Sequence, residues 1–109
     1  MLDSASFINM NVDEFAEFIA MAGVQLLDVR TPEEFAEGHI QGAVNIDIYD
    51  PDFLRKAETA LDKSRPVAVY CRSGRRSEEA AGMLFREGYN VVNLEGGILA
   101  WIEWGRPIV

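Results

Sequence analysis

Cys71 is the chain's single cysteine, and three arginines, Arg72, Arg75 and Arg76, follow it within five residues in the stretch VYCRSGRRSEE, residues 69–79. The rest of the chain is acidic: 18 Asp and Glu against 10 Lys and Arg leave a formal net charge of −8. Positive charge gathered at the one thiol of an acidic protein points to anion chemistry. The thiolate, not the thiol, is the nucleophile. A tight loop here turns successive backbone N–H groups inward as an anion-binding nest. A helix starting near Arg76 adds the partial positive charge of its N-terminus. Gly74 opens backbone conformations closed to other residues, and the arginines add full charge on planar donors. Cys71 is thus expected to be the nucleophile. Arg72, Ser73, Gly74, Arg75, Arg76 and Ser77 are expected to be the groups around an anionic substrate. Arg76 is placed nearest the reaction, Arg75 and Arg72 are read as steering groups, and Ser77 can equally serve as a helix cap.

Blander readings of the same residues exist. A lone cysteine is commonly an inert, buried small hydrophobe; the loop, the glycine and the arginines weigh against that. An arginine can simply pair on a solvated face with Glu78 or Glu79, which suits Arg72, early in the loop with its side chain expected outward. A metal site is not expected, because Cys71 and His39 lie far apart with no ligand spacing. His39, in EGHIQGA, reads as a structural hydrogen-bonding residue rather than a catalytic base. An exposed thiol of this kind is open to intermolecular disulfide formation.

The elements that must position this loop are legible in outline. Phe7-Ile8 suggests a short strand. Asn11 with Glu14 forms a capping box, and Val12, Phe15, Ala16 and Ile19 recur on one helical face that ends near Gly23. Gln25 to Val29 reads as a buried strand. Thr31, Pro32 and Glu34 mark a helix start, with Gly38 as its end and Glu34 available to an arginine. Ala43 to Ile46 is a second strand. Asp50-Pro51 opens a helix with Phe53, Leu54, Ala57 and Leu61 on one side. Pro66 to Cys71 has the apolar texture of an inner parallel strand. A helix from Arg76 to Glu87 is expected to bury Ala80, Ala81, Leu84 and Phe85, with Gly88 as its stop. Val91 to Leu94 is the last strand. Gly96-Gly97 leads into Ile98, Trp101 and Ile102 at helical spacing, closed by Gly105. Strands alternating with helices predict an α/β domain, a mainly parallel sheet with helices on both faces. In such sheets, ligands bind beyond the carboxyl ends of the strands, where Cys71 falls.

At 109 residues, with 49% hydrophobic and 26% charged residues, the chain is expected to form one domain, residues 1–109. The acidic balance stands against nucleic acid and anionic membrane as partners. No apolar run approaches the ~20 residues of a membrane span. The start, MLDSASFINMN, lacks the basic and apolar regions of a signal peptide. A cytoplasmic setting is the resulting expectation, and it keeps a thiol usable.

Three blocks in order, LLDVRTPEEFAEGHIQGAVNI, CRSGRRS and GYNVVNLEGGILAW, resemble the single-domain rhodaneses over roughly residues 5 to 106. The resemblance implies a five-stranded parallel sheet flanked by helices and a sulfurtransferase acting in two steps. Cys71 would take the outer sulfur of a small sulfur-containing anion such as thiosulfate, forming a persulfide. Cyanide, a thiol or a partner protein would then remove it. No cofactor is implied, since the cysteine carries the sulfur. Asp28 and Arg30 look like supporting residues that brace the loop, and Gly96, Gly97 and Trp101 look like close-approach and packing positions. Phosphatases and arsenate reductases of the same fold place five residues between cysteine and arginine. Here four, Arg72 to Arg75, separate Cys71 from Arg76, a narrower cradle that suits one sulfur atom. Two further alternatives are a non-catalytic rhodanese-like binding module and a persulfide carrier whose acceptor is a protein.

Overall fold

The computed structural model describes residues 7–109, so the part of the signal-peptide argument resting on residues 1–6 lies outside the described residues. The elements run β1 (Ile8–Met10), α1 (Val12–Ile19), β2 (Gln25–Asp28), α2 (Pro32–Glu37), β3 (Val44–Asn45), α3 (Phe53–Ala60), β4 (Val67–Tyr70), α4 (Arg75–Arg86), β5 (Val91–Leu94) and α5 (Gly97–Glu103). The five strands form one sheet in the order β1-β5-β4-β2-β3, and every pairing is parallel.

Local chemistry explains where the helices begin. Both capping boxes form: Asn11 accepts from the Glu14 N–H and Thr31 from the Glu34 N–H, while each glutamate reaches back to its cap. β4 is buried along its whole length because it lies between two neighbours and under helices on both faces. Its alternating side chains divide the core. Val67, Val69 and Cys71 pack with Phe53, Ala57, Ala80 and Leu84 on the α3 and α4 side. Ala68 and Tyr70 pack with Val12, Phe15, Ile98 and Trp101 on the α1 and α5 side. Phe15 and Trp101 meet edge to face, centroids 6.3 Å apart.

The structure differs from the sequence expectations in particulars. The first strand is shifted to Ile8–Met10, where it pairs with β5. The second expected strand shrinks to Val44–Asn45, since β3 is an edge held by β2 alone. α4 starts one residue early, at Arg75. Phe85 is 36% exposed rather than buried. The buried stripe of α4 is Ser77, Ala80, Ala81 and Leu84; Phe85 stands about 100° round from Leu84, past the stripe's edge. Ile102, beside the buried Trp101, is likewise exposed.

Candidate active site

The cysteine loop leaves the C-terminal end of β4 and enters α4 within four residues. Gly74 makes the turn at φ +107°, in the left-handed region. This bends the loop so that the Gly74 N–H donates to Cys71 Sγ at 3.0 Å. Gly74 is also the N-cap of α4, and it carries no side-chain cap. The first N–H groups of any helix lack intrahelical partners. In α1 and α2 a side chain satisfies one of them. The N-cap of α4 has no side chain to do so, and among the described residues the amides at its start and the helix's partial positive charge are left available to an anion at the sulfur.

A second helix holds the loop from behind. The Ile98 N–H donates to the Cys71 carbonyl at 2.9 Å and the Leu99 N–H to the Arg72 carbonyl at 3.1 Å. Gly97 makes this approach possible. A Cβ there would overlap the Arg72 carbonyl and come within 2.7 Å of the Cys71 carbonyl oxygen. With its carbonyls tied to α5, the loop turns its N–H groups the other way.

Asp28 and Arg30 sit at the end of β2, where Asp28 is in register with Tyr70. They form a buried ion pair, with Arg30 Nη2 2.7 Å from Asp28 Oδ2 and Arg30 Nε 3.0 Å from both carboxylate oxygens. Arg30 Nη2 also donates to the Gly38 carbonyl at 2.7 Å, which ties β2 to the end of α2. The Tyr70 hydroxyl accepts the Ile40 N–H at 3.0 Å. Burial first, and then the Asp28 charge, push the Tyr70 phenol above its usual range, so it stays neutral. These residues brace the strand ends beside Cys71.

The sequence-expected residues arrive as follows. Cys71 is 1% exposed, which corrects the expectation of an exposed thiol: the loop folds over the sulfur. Arg72, Ser73 and Arg75 are exposed. Ser77 is fully buried, and its hydroxyl donates to the Gly74 carbonyl at 3.2 Å, so it fastens the first turn of α4. Arg76 is half-buried and grips Glu34 with two parallel bonds of 2.8 and 2.9 Å. Those bonds, with a smaller contribution from the Glu34 charge, hold the Arg76 guanidinium above its usual range. His39 is a structural residue, Nδ1 3.0 Å from the Phe35 carbonyl and its ring stacked on Phe35. Among the described residues no group of three or more His, Cys, Asp or Glu could hold a metal ion.

Two residues at the site carry no sequence signal. Asn45 donates to the carbonyls of Asp28 at 3.0 Å and Arg30 at 2.8 Å, fixing the β2 end. The exposed Tyr49 stands with its ring 5.8 Å from the Arg76 guanidinium carbon. Each is tied to partners only by the chain's return.

The Glu34–Arg76 pair has a measurable consequence. The Arg76 hydrogen bonds, chiefly, hold the Glu34 carboxyl down to about 2. A folded value below the unfolded one contributes stability that is present above the unfolded value and lost as pH falls through the folded one. Glu34→Gln is therefore expected to cost on the order of 2 kcal/mol at pH 7. Urea unfolding should show the gap to the parent protein closing between roughly pH 4.5 and pH 2. A gap independent of pH would mean that the ionised Glu34–Arg76 pair is not the source of the loss.

A parallel sheet with the chain's one cysteine at the end of its central strand, where α4 begins, defines an α/β domain. The chain belongs to the rhodanese family: the family's domain model, Rhodanese-like domain, matches residues 11–103. A protein of Allochromatium vinosum named sulfurtransferase is 42% identical over 87 residues, covering 79% of this chain and 78% of that protein. The thiosulfate sulfurtransferase GlpE of Stutzerimonas stutzeri is 37% identical over 90 residues, covering 81% of this chain and 79% of that one. The crystal structure of a rhodanese-related protein from Thermoplasma volcanium superposes with a TM-score of 0.83 at 37% identity, covering 94% of this chain and 98% of that one. The fold is the rhodanese-like five-stranded parallel sheet expected from the sequence. Among the described residues no helix is long and apolar enough to cross a membrane.

Proposed function

We propose that this chain, as one domain, is a sulfurtransferase that accepts sulfane sulfur on Cys71 from a small anion such as thiosulfate. It then passes the sulfur to a thiol, cyanide or a protein. The observation that carries this is Cys71 Sγ accepting the Gly74 N–H at 3.0 Å against a helix start with no side-chain cap. The Cys71 thiolate attacks the outer sulfur of thiosulfate. A sulfur–sulfur bond forms to Sγ as the donor's own breaks, and sulfite leaves with the bonding pair. The persulfide's outer sulfur, about 2 Å beyond Sγ, carries negative charge that loop amides and the α4 terminus can hold. The acceptor attacks that sulfur and the Cys71 thiolate returns.

The names of the relatives support sulfur transfer, and one of them supports thiosulfate as a donor. The four-residue spacing to Arg76 favours sulfur over a phosphate-sized group. A cytoplasmic setting goes with a thiol that must stay reduced. With Arg76 committed to Glu34, Arg76 supplies positive field and loop rigidity. Arg72 and Arg75, which have no ion-pair partner among the described residues, receive the donor's sulfonate end. Asp28 and Arg30 support the loop without touching the substrate.

The test is intact mass after brief exposure of the reduced protein to thiosulfate, then to cyanide. One sulfur atom gained on Cys71 and lost as thiocyanate is the expected result. No gain with thiosulfate, 3-mercaptopyruvate or a low-molecular-weight persulfide would sink the reading. The double variant Arg72→Ala/Arg75→Ala is expected to raise KM for thiosulfate about tenfold with kcat within a few-fold, because it removes ground-state charge attraction. The rise should shrink with added salt.

A further inference from the structure

An open depression of about 480 Å³ lies on the outer wall of the cysteine loop, lined by Ser73, Arg75, Glu78, Asn93 and Glu95 among others. That is room for a small molecule. Asn93 is 1% exposed. Its strand neighbours Val92 and Leu94 pack on the α1 and α5 side, so the alternation of the strand turns Asn93 toward α4 and the depression. Its Nδ2 donates to Asn9 Oδ1 at 2.9 Å, while its Oδ1 is buried with no partner among the described residues. An unsatisfied buried carbonyl costs roughly 1–3 kcal/mol. The position pairs in register with Val69, and an aliphatic residue there would avoid the cost. A buried polar atom without a partner calls for an explanation, and a ligand supplies one.

The rim indicates what kind. Glu78, Glu95 and Arg75 are exposed, and among the described residues none is in an ion pair. The depression therefore offers one buried carbonyl and two free carboxylates to a donor, and one free guanidinium to an acceptor. An ammonium brings three donors and no acceptor, and a carboxylate fits a guanidinium with two parallel bonds. We infer that this depression is a binding site for a small zwitterion of the α-amino-acid type, its ammonium group on Asn93 Oδ1 between Glu78 and Glu95 and its carboxylate on Arg75. The depression adjoins the Cys71 site and shares Arg75 and Gly74 with it, but its occupancy does not depend on sulfur transfer.

The test is a titration of the 15N-labelled protein with glycine, methylammonium and acetate, followed by NMR. Glycine is expected to shift the Asn93 side-chain NH2 and the amides of Ser73, Gly74 and Glu95, with saturation in the millimolar range. Methylammonium and acetate, each half of the ligand, are expected to bind at least about tenfold more weakly. Asn93→Leu is expected to remove the saturable response while the spectrum stays folded. If the parent protein shows no saturable shift by about 100 mM glycine, a concentration that would reveal binding far weaker than millimolar, the inference is overturned. It is overturned equally if acetate or methylammonium alone matches glycine.

Discussion

Cys71→Ser is expected to leave a protein that folds and gains no mass from any sulfane-sulfur donor, with transfer to cyanide falling to background, a loss of at least about a thousandfold. The two halves of that result have separate causes. A serine hydroxyl cannot form the sulfur–sulfur bond that carries the transferred atom, so no slower version of the same route remains. The fold survives because the change is nearly isosteric at a position only 1% exposed, and the serine oxygen can accept the Gly74 N–H that now reaches Sγ. The stability change should stay within about 1 kcal/mol, read as a shift of a few degrees in Tm. Retained transfer by a folded Cys71→Ser protein would end the mechanism proposed above.

Gly97→Ala is expected to damage both stability and sulfur uptake, although Gly97 touches no substrate. Its φ of +63° already makes any side chain costly, by roughly 1–2 kcal/mol. The added methyl would also strike the carbonyls of Arg72 and Cys71, which are backbone atoms with little freedom to yield. Relief requires α5 to move away, and that breaks the Ile98 and Leu99 N–H bonds to the loop. We expect about 3 kcal/mol or more of lost stability in all, a fall in Tm of the order of 10 °C or more. Persulfide formation should slow at temperatures where the variant is still folded, because the loop carbonyls no longer orient its amides. Gly105→Ala supplies the control. Gly105 has φ +77° with open space around it, so that variant should pay only the backbone cost. Equal losses for the two variants would show that the contact with the loop is not what matters.

The parts of the fold that local chemistry governs were legible residue by residue. Asn11 with Glu14 and Thr31 with Glu34 start helices because their partners lie three residues away. The apolar run before Cys71 became the inner strand β4 because no polar face interrupts it. The same run located the candidate site, since the topology of a parallel sheet places loops of this kind at the strand ends. Phe85 escaped, because a helix's periodicity marks a stripe without marking its width, and the width is set by what packs outside it.

From its own residues the sequence determined the alternation of strands and helices, the single thiol at a strand's end, the glycine that turns the loop and the excess of positive charge around it. These are properties of neighbours in the chain, governed by steric preference, capping and periodicity. Only the tertiary structure decided how that charge is used. Arg76 meets a glutamate 42 residues away, Gly97 closes on a carbonyl of residue 72, and Asn93 is left with an oxygen unpaired among the described residues, on the far wall of the loop. It also decided that the thiol lies beneath the loop instead of on the surface. Each depends on where parallel strands bring distant segments together, and the choice among possible partners is made by packing, which no spacing along the chain records.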